Sequence, residues 1–596
     1  MTLPNTRRAS AVIFAVLVGA TVAAFFVTQR VKQAPAVVQS VKATRTFSPR
    51  GELARRATIS FRLKRSDDVS VAIVDSGGEV VRRLVDGRPL RAYRRLTATW
   101  DGRDDDLRLA PDGRYRPLIG LRAQGRSVTV QRSIVLDSTP PRPVVTHVSP
   151  GISPTGGSSA ISARFEGPRH ATPTFLVYRT RVERGARLVA RFDGRVGSGL
   201  GEWDGRLPNG RRAPAGTYLI AVRTRDKAGN VGSAPAQLPP RRGLSGRSRG
   251  VTVRYLGIEP PLSPALAGGP VSFAVDARQR RYRWSVRRLG ARRPIKRGVK
   301  TTFRLRLRAP RGASGVYLLE AHTRERSTRV PFTVQARPSS KVLVVLPALT
   351  WQGRNEVDDD GDGFADTLDA APLVRIARPF TGGRLPVSLA ARVAPLLIWL
   401  DRERLRYDLT TDYALATGAG PSLQGHEGVL LAGDFRWLPD SLGRSLRRYV
   451  QRGGRVASLG VESLRRGVRL GRKTLRRPTA AAALDVFGAR LRPPAAFAEN
   501  AAPNLLVSAD ELGLFSATGG QFSGFHQLEQ LVSIAPPGRL VAAAGIRADQ
   551  PTITAHRLGK GIVVRFGLPE WSRRLSDETA PEVAATMRRT WTVLSR

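Results

Sequence analysis

Apolar and polar positions along the chain fall into three successive regimes. The first is a continuous apolar run from Ala11 to Val27, broken only by Gly19 and Thr21. Its 17 residues are short for a membrane-spanning helix and long for a signal-peptide core. The second regime is a series of short alternating segments, such as Val69, Val71 and Ile73, punctuated by turn residues such as Ser76-Gly77-Gly78. Period-two alternation with frequent turns predicts small β-sandwiches. The third begins at Lys341, where short apolar runs (Val342–Leu346, Gly428–Ala432, Arg455–Leu459, Ile562–Phe566) alternate with helical patterns (Leu389–Arg402, Leu438–Gln451, Pro581–Leu594). Such alternation predicts a mainly parallel sheet with helices on both faces. Asp440 or Ser441 is the expected cap of the 438–451 helix, and Gly453-Gly454 its end.

These regimes predict a multidomain chain. A cytoplasmic tail (1–9) precedes a transmembrane anchor (10–28). Two to three all-β Ig-like sandwiches follow (42–137, 138–240 and 251–336), then an α/β domain (340–596). Basic residues flank both ends of the apolar run. The short leading tail favours a single-pass protein in the cell membrane, its main body outside the cytoplasm. The alternative is a cleaved signal, with Ala34-Pro35-Ala36 as a faint cleavage site.

The β region repeats. Trp100-Asp101-Gly102-Arg103 is followed by Pro111-Asp112-Gly113-Arg114-Tyr115, and Trp203-Asp204-Gly205-Arg206 by Pro214-Ala215-Gly216-Thr217-Tyr218. The offset is 103 residues, and Trp lies 15 residues before Tyr in both copies. That period fits one sandwich. Together with Phe47-Ser48-Pro49, these motifs resemble the FlgD-type Ig-like domain, which implies a spacer or adhesion module without chemistry of its own.

Charge and cysteine content narrow the function. Lys plus Arg number 98 against 47 Asp plus Glu, a formal charge of +51, and most of the cations are Arg. They are spread along every region, and no zinc-finger, RRM or KH pattern occurs. A nucleic-acid partner is therefore not expected, whereas an anionic cell-wall polymer or glycan is. Basic and aromatic residues do interleave over Arg280–Lys300, where Tyr282 and Trp284 are read as inward positions of a strand. The absence of cysteine excludes disulfides, thiolate metal sites and a Cys nucleophile.

Candidate chemistry concentrates at Asp358–Asp369. Acids stand at loop positions 1, 3, 5, 9 and 12 (Asp358, Asp360, Asp362, Asp366 and Asp369), Gly363 stands at position 6, and the Phe364 carbonyl would serve position 7. A hard cation wants such an oxygen shell, so the expected ligand is structural calcium; the alternative is a solvated acidic turn. Position 12 is Asp rather than Glu, and a strand rather than a helix precedes the loop. Both features resemble the calcium loops of dockerins and thrombospondin type 3 repeats.

The third regime resembles the C-terminal domain of the N,N-dimethylformamidase large subunit, a fold related to class I glutamine amidotransferases. The resemblance lies in Tyr407-Asp408-Leu409-Thr410-Thr411-Asp412, Val429-Leu430-Leu431-Ala432-Gly433-Asp434, Tyr449–Val456 and Gly559-Lys560-Gly561. It implies a mononuclear iron held by Tyr and Glu. Where that family carries His-Pro-Glu-Tyr, this chain has Gly433-Asp434-Phe435-Arg436-Trp437, so no transition metal is expected. Acids near strand ends, Asp412, Asp434 and Glu462, lie where α/β sheets bind ligands. With Asp434, Glu462 and His526 (beside Glu529) as catalytic candidates, the second expectation is a metal-dependent hydrolase of amides or glycans. Against it stands a bland reading, with Asp434 as a helix cap, Glu462 paired to Arg465 or Arg466, and ordinary surface histidines.

Overall fold

The computed structural model describes residues 12–24 and 37–596, apart from residues 150, 153–159, 183, 244–249, 255, 278–280, 325, 338, 383–384 and 387. Residues 12–24 form a helix exposed along its length. The rest of the expected anchor and the 1–9 tail lie outside the described residues. Among the described residues, no helix is long and apolar enough to cross a membrane.

Alternation builds the first sandwich. Ile59, Phe61 and Leu63 on one strand and Val69, Val71 and Ile73 on the next are fully buried. A three-stranded sheet (Val38–Ala43, Ala57–Leu63, Arg95–Trp100) packs on a six-stranded one that includes Asp67–Val74 and Gly113–Leu121. The second sandwich repeats the plan, with three strands (Val144–Val148, Ile161–Glu166, Leu200–Trp203) against six.

The sequence repeat is a structural repeat at atomic detail. Trp100 donates its indole N–H to the Arg103 carbonyl, and Trp203 does the same to Arg206, both at 2.8 Å. Tyr115 and Tyr218 donate their hydroxyls to the carbonyls of Pro111 and Pro214 at 2.5 and 2.6 Å. In each copy the Trp and Tyr rings meet, with centroids 4.8 and 5.6 Å apart. Each bulky ring thus fills the core while its polar atom closes the adjoining turn.

Two strands depart from the expected boundaries. Gly250–Val253 does not open the third sandwich; it pairs with Gly216–Leu219, and Val251 and Val253 complete the second core. Phe380–Thr381, from beyond the acidic loop, pairs with Gly257–Glu259 of the third sandwich. Conversely, Leu289, Val316 and Leu318 of that sandwich lie in the core of the α/β head, so the two units share apolar packing. Along Tyr282–Arg288, Tyr282 and Val286 are buried and Trp284 is half-buried.

The head contains nine strands in one sheet, numbered here in chain order: β1 (Val342–Leu346), β2 (Asp408–Thr411), β3 (Gly428–Leu431), β4 (Arg455–Ser458), β5 (Leu505–Asp510), β6 (Gln521–Phe522), β7 (Arg539–Gly545), β8 (Pro551–Leu558) and β9 (Gly561–Phe566). Their spatial order is β2-β1-β3-β4-β9-β8-β7-β5-β6. The pairs from β2 to β9 are parallel, and those from β9 to β6 antiparallel. The sheet is therefore mixed rather than mainly parallel. β1 and β3 are buried at every position, as continuous apolar runs covered on both faces require.

Helices α1 (Ala348–Gly353), α2 (Ala394–Arg402), α3 (Asp412–Thr417), α4 (Asp440–Gln451), α5 (Trp571–Arg574) and α6 (Pro581–Ser595) accompany this sheet, together with smaller sheets such as that of Leu373–Arg375, Thr474–Arg476, Gly467–Leu470 and Leu438–Pro439. A π-turn, Leu389–Val393, leads into α2, where Pro395 lacks the amide that an α-ladder would need. Neither Asp440 nor Ser441 caps α4. Pro439 holds the N-cap position, and Asp440 stands in the first turn, where its charge complements the helix dipole.

Candidate metal centre and strand-end crevice

The acidic loop follows α1. Val357 and Asp366 form an antiparallel bridge that closes it: the Asp366 amide donates to the Val357 carbonyl at 2.8 Å, and the Asp359 amide to Asp366 Oδ2 at 2.7 Å. Side chains then wrap the backbone. Asp358 accepts from the amides of Gly361 (2.6 Å) and Gly363 (3.0 Å), and Asp362 from that of Phe364 (2.7 Å). Gly363 has φ of +89°, so position 6 does require glycine. As a result, one carboxylate oxygen from each of Asp358, Asp360 and Asp366 lies within 4.8 Å of the others. Burial, opposed by the two backbone donors and reinforced by Asp362 and Asp360, pushes the Asp358 carboxyl up to about 7. Carboxylates gathered in this way suit a divalent cation, because the donor set is all oxygen.

Three of the expected ligands lie outside this trio of carboxylates. Asp369 is held away by Arg436, whose Nη2 and Nε lie 2.8 and 3.1 Å from its Oδ1. Asp362 lies 3.9 Å from Arg242, which also donates to Asp366 Oδ1 at 2.9 Å. The Phe364 ring is buried among Leu176, Tyr178, Leu219 and Ala221 of the second sandwich. By spacing, the gathered set is Asp358, Asp360 and Asp366, with Asp362 adjacent.

The loop forms a joint. Thr180 donates its hydroxyl to the Gly363 carbonyl, and the Gly250 amide to the Gly361 carbonyl, both at 2.7 Å. A Cβ on Gly250 would lie 2.2 Å from Asp358 Oδ2, so the joint leaves no room for a side chain there. Arg378, fully buried, donates to the Asp366 carbonyl at 2.8 Å and ties the loop back to the head.

A second polar region lies at the C-terminal ends of the parallel strands. The order β2-β1-β3 reverses direction around β1, the kind of switch point at which open α/β sheets form a crevice, here between the ends of β1 and β3. Asp412, fully buried, accepts from the amides of Leu349 (3.0 Å) and Tyr413 (2.8 Å), while burial pushes its carboxyl up to about 8. Asp434 pairs with Arg392 and accepts from the Val461 amide at 3.1 Å; burial raises its pKa against the pull of Arg392. Glu462 pairs with Arg436 at 3.2 Å, not with Arg465 or Arg466, and has φ of +48°.

Asp434, Glu462 and His526 do not have the spacing of a metal cluster. Among the described residues, the Asp358–Asp360–Asp366 group alone has the spacing of a metal site built from His, Cys or acidic side chains. The Nδ1 atom of His526 is buried and without a partner. What the crevice contains instead is a relay of charges. Arg436 bridges Asp369 and Glu462. The Glu462 amide donates to Glu529 at 2.9 Å, and Arg565 grips Glu529 and Asp485 at 2.8 Å each. Arg565 was legible in one respect: a lone Arg inside the apolar run Ile562–Phe566 demands buried acidic partners.

The Asp412 shift has a testable sign. Its folded pKa lies above its unfolded value of 3.8, so the folded chain holds a proton that the unfolded chain has lost between about pH 4 and pH 8. Stability contributed by this group therefore falls as pH rises through that window, by at most ~1.4 kcal/mol per pH unit. Asp412→Asn should flatten the decline in melting temperature between pH 5 and pH 8; parallel wild-type and variant profiles would refute the assignment.

The class these features define is a multidomain protein of tandem β-sandwiches carrying a mixed α/β head. Residues 300–483, about a third of the chain, match the family model described as N,N-dimethylformamidase beta subunit-like, C-terminal. No curated protein sequence matches the chain. Solved structures similar to it include Ig-like and fibronectin-like sandwich proteins. The fibronectin(III)-like modules of Clostridium thermocellum CbhA share 15% identity over 36% of this chain and 92% of theirs, with TM-score 0.19. The N-terminal four Ig domains of Dscam1 isoform 4.4 share 14% over 50% and 73%, with TM-score 0.13. A beta-galactosidase from Bacillus circulans sp. alkalophilus shares 12% over 42% of this chain, with TM-score 0.26, and the chain spans only 31% of that enzyme's length.

Proposed function

We propose that the chain is a membrane-anchored envelope protein with its main body outside the cytoplasm. Two FlgD-type modules and a third sandwich hold out a head that binds or scaffolds, and calcium stiffens the joint. The observation that carries this reading is the position of the acidic cluster. It sits where the second sandwich, the strand Gly250–Val253 and the head meet. The duplicated Trp–Tyr corners support the FlgD-type assignment. The exposed apolar residues of helix 12–24, including Phe14, Val16 and Leu17, support an anchor. The order β2-β1-β3-β4 supports a relation to the glutamine amidotransferase fold.

The test is thermal melting of the full chain with calcium and with a chelator. Binding only the folded joint stabilises it by about 2.7 kcal/mol at a hundredfold excess over Kd. The wild type should therefore melt higher in calcium, whereas Asp358→Ala/Asp360→Ala should respond to neither condition. A wild-type melt indifferent to calcium ends the proposal for the loop.

A second reading, a hydrolase of amides or glycans, has the family match over 300–483 and the left-handed backbone of Glu462 and Leu464 beside the crevice in its favour. Turnover of N,N-dimethylformamide by purified protein, abolished by Glu462→Gln, would establish it over the first.

A further inference from the structure

We propose that the cleft between the third sandwich and the head is a binding site for a flexible polyanion, its recurring phosphate or carboxylate groups held by arginine. The inference rests on reading the chain as a binding protein, and it is independent of the calcium joint. The cleft encloses about 1160 Å³, above the ~300–1,000 Å³ usual for small-molecule pockets, and so suits a polymer segment. Arg308, Arg311, Arg337, Arg404 and Arg406 line it. All five are exposed, and among the described residues none has an acidic partner. The carboxylate of the wall, Asp401, is already neutralised. Arg288 grips it through two bonds of 2.8 and 2.9 Å, and Tyr407 donates its hydroxyl at 3.1 Å. This clamp joins sandwich to head and holds the two walls at a set separation, while leaving five forked cations facing the space. Guanidinium forks match phosphate and carboxylate alike.

Arg404 stands on the cleft wall at a position where glycine is usual. Helix α2 ends in a Schellman motif: the Leu405 amide donates to the Leu400 carbonyl at 3.0 Å, and that of Arg404 to Asp401 at 3.1 Å. The left-handed position of this motif is normally glycine. Here it is Arg404, with φ of +57°. The chain accepts backbone strain at the residue that sets a cation on the cleft wall. Tyr407, the aromatic of the lining, is buried with its hydroxyl engaged, so the cleft offers no stacking platform for bases. Nucleic acid is thus disfavoured as the occupant.

The experiment uses the full chain with labelled inorganic polyphosphate and, separately, labelled polygalacturonate, followed by anisotropy at physiological ionic strength. At least one polymer should bind, and the stronger identifies the anion. Arg311→Glu/Arg406→Glu should weaken it at least tenfold. Arg114→Glu/Arg116→Glu, an equal change of charge on the first sandwich, should weaken it less than twofold. Arg404→Gly should bind more weakly yet melt higher than the wild type, a pairing that a merely structural residue would not produce. No binding of either polymer, equal losses in the two double variants, or displacement by single-stranded DNA at matched charge concentration would each overturn the proposal.

Discussion

Replacing Arg565 by Met should destabilise the head by about 3–5 kcal/mol, because two buried carboxylates lose their shared cation. Arg565 lies on β9, between β4 and β8, where all the surrounding backbone is committed to the sheet. Burial acts to lower its pKa, but Glu529 and Asp485 outweigh burial and hold it above the ordinary value. Both partners are nearly inaccessible to solvent, so neither carboxylate can recruit water in place of the guanidinium. The damage should extend beyond the pair. Glu529 also accepts the Glu462 amide, so the strand-end turn at the crevice loses its tether. Chemical denaturation followed by Trp fluorescence measures the loss. The triple variant Arg565→Met/Asp485→Asn/Glu529→Gln should recover much of it, since no unpaired charge remains. A cost below about 1 kcal/mol for Arg565→Met would mean that the pairings contribute little.

The contrast between what the residues announced and what they concealed follows from range. Trp100 and Trp203 close turns with carbonyls three residues away, so their role is encoded locally and repeats with the motif. The acids of the loop are likewise local, and their spacing brings three of them together. Asp369 differs because its fate is decided by Arg436, 67 residues further on. The strand Gly250–Val253 has the same alternation whichever sandwich it joins; only the fit of Val251 and Val253 into the second core decides. The antiparallel half of the head sheet was hidden for a similar reason, because short apolar strands do not state their direction. The strand-end acids were picked out by their positions after strands, but Arg392 and Arg436 were lost among many arginines spread along the chain.

Phe364→Ala should cost the joint about 3–5 kcal/mol, the usual range for emptying a buried Phe site. The ring is 8% exposed and packs on Leu176, Tyr178, Leu219 and Ala221, all from the second sandwich, although Phe364 itself belongs to the head's loop. Arg242 covers it at 5.7 Å from the ring centroid while bonding Asp366 and the Ala365 carbonyl. The side chain therefore couples two folded units, and its removal should separate their transitions in calorimetry, with the second sandwich melting earlier. Phe364→Leu, which keeps most of the volume, should cost less than about 1.5 kcal/mol. If the seated loop is the form that binds calcium, linkage requires that loosening it also weaken the ion. The calcium-dependent rise in melting temperature should then shrink in Phe364→Ala and persist in Phe364→Leu. Unchanged coupling between the two transitions in Phe364→Ala would show that the sandwich and head are joined elsewhere, through Thr180, Gly250 and Arg242 rather than through the ring.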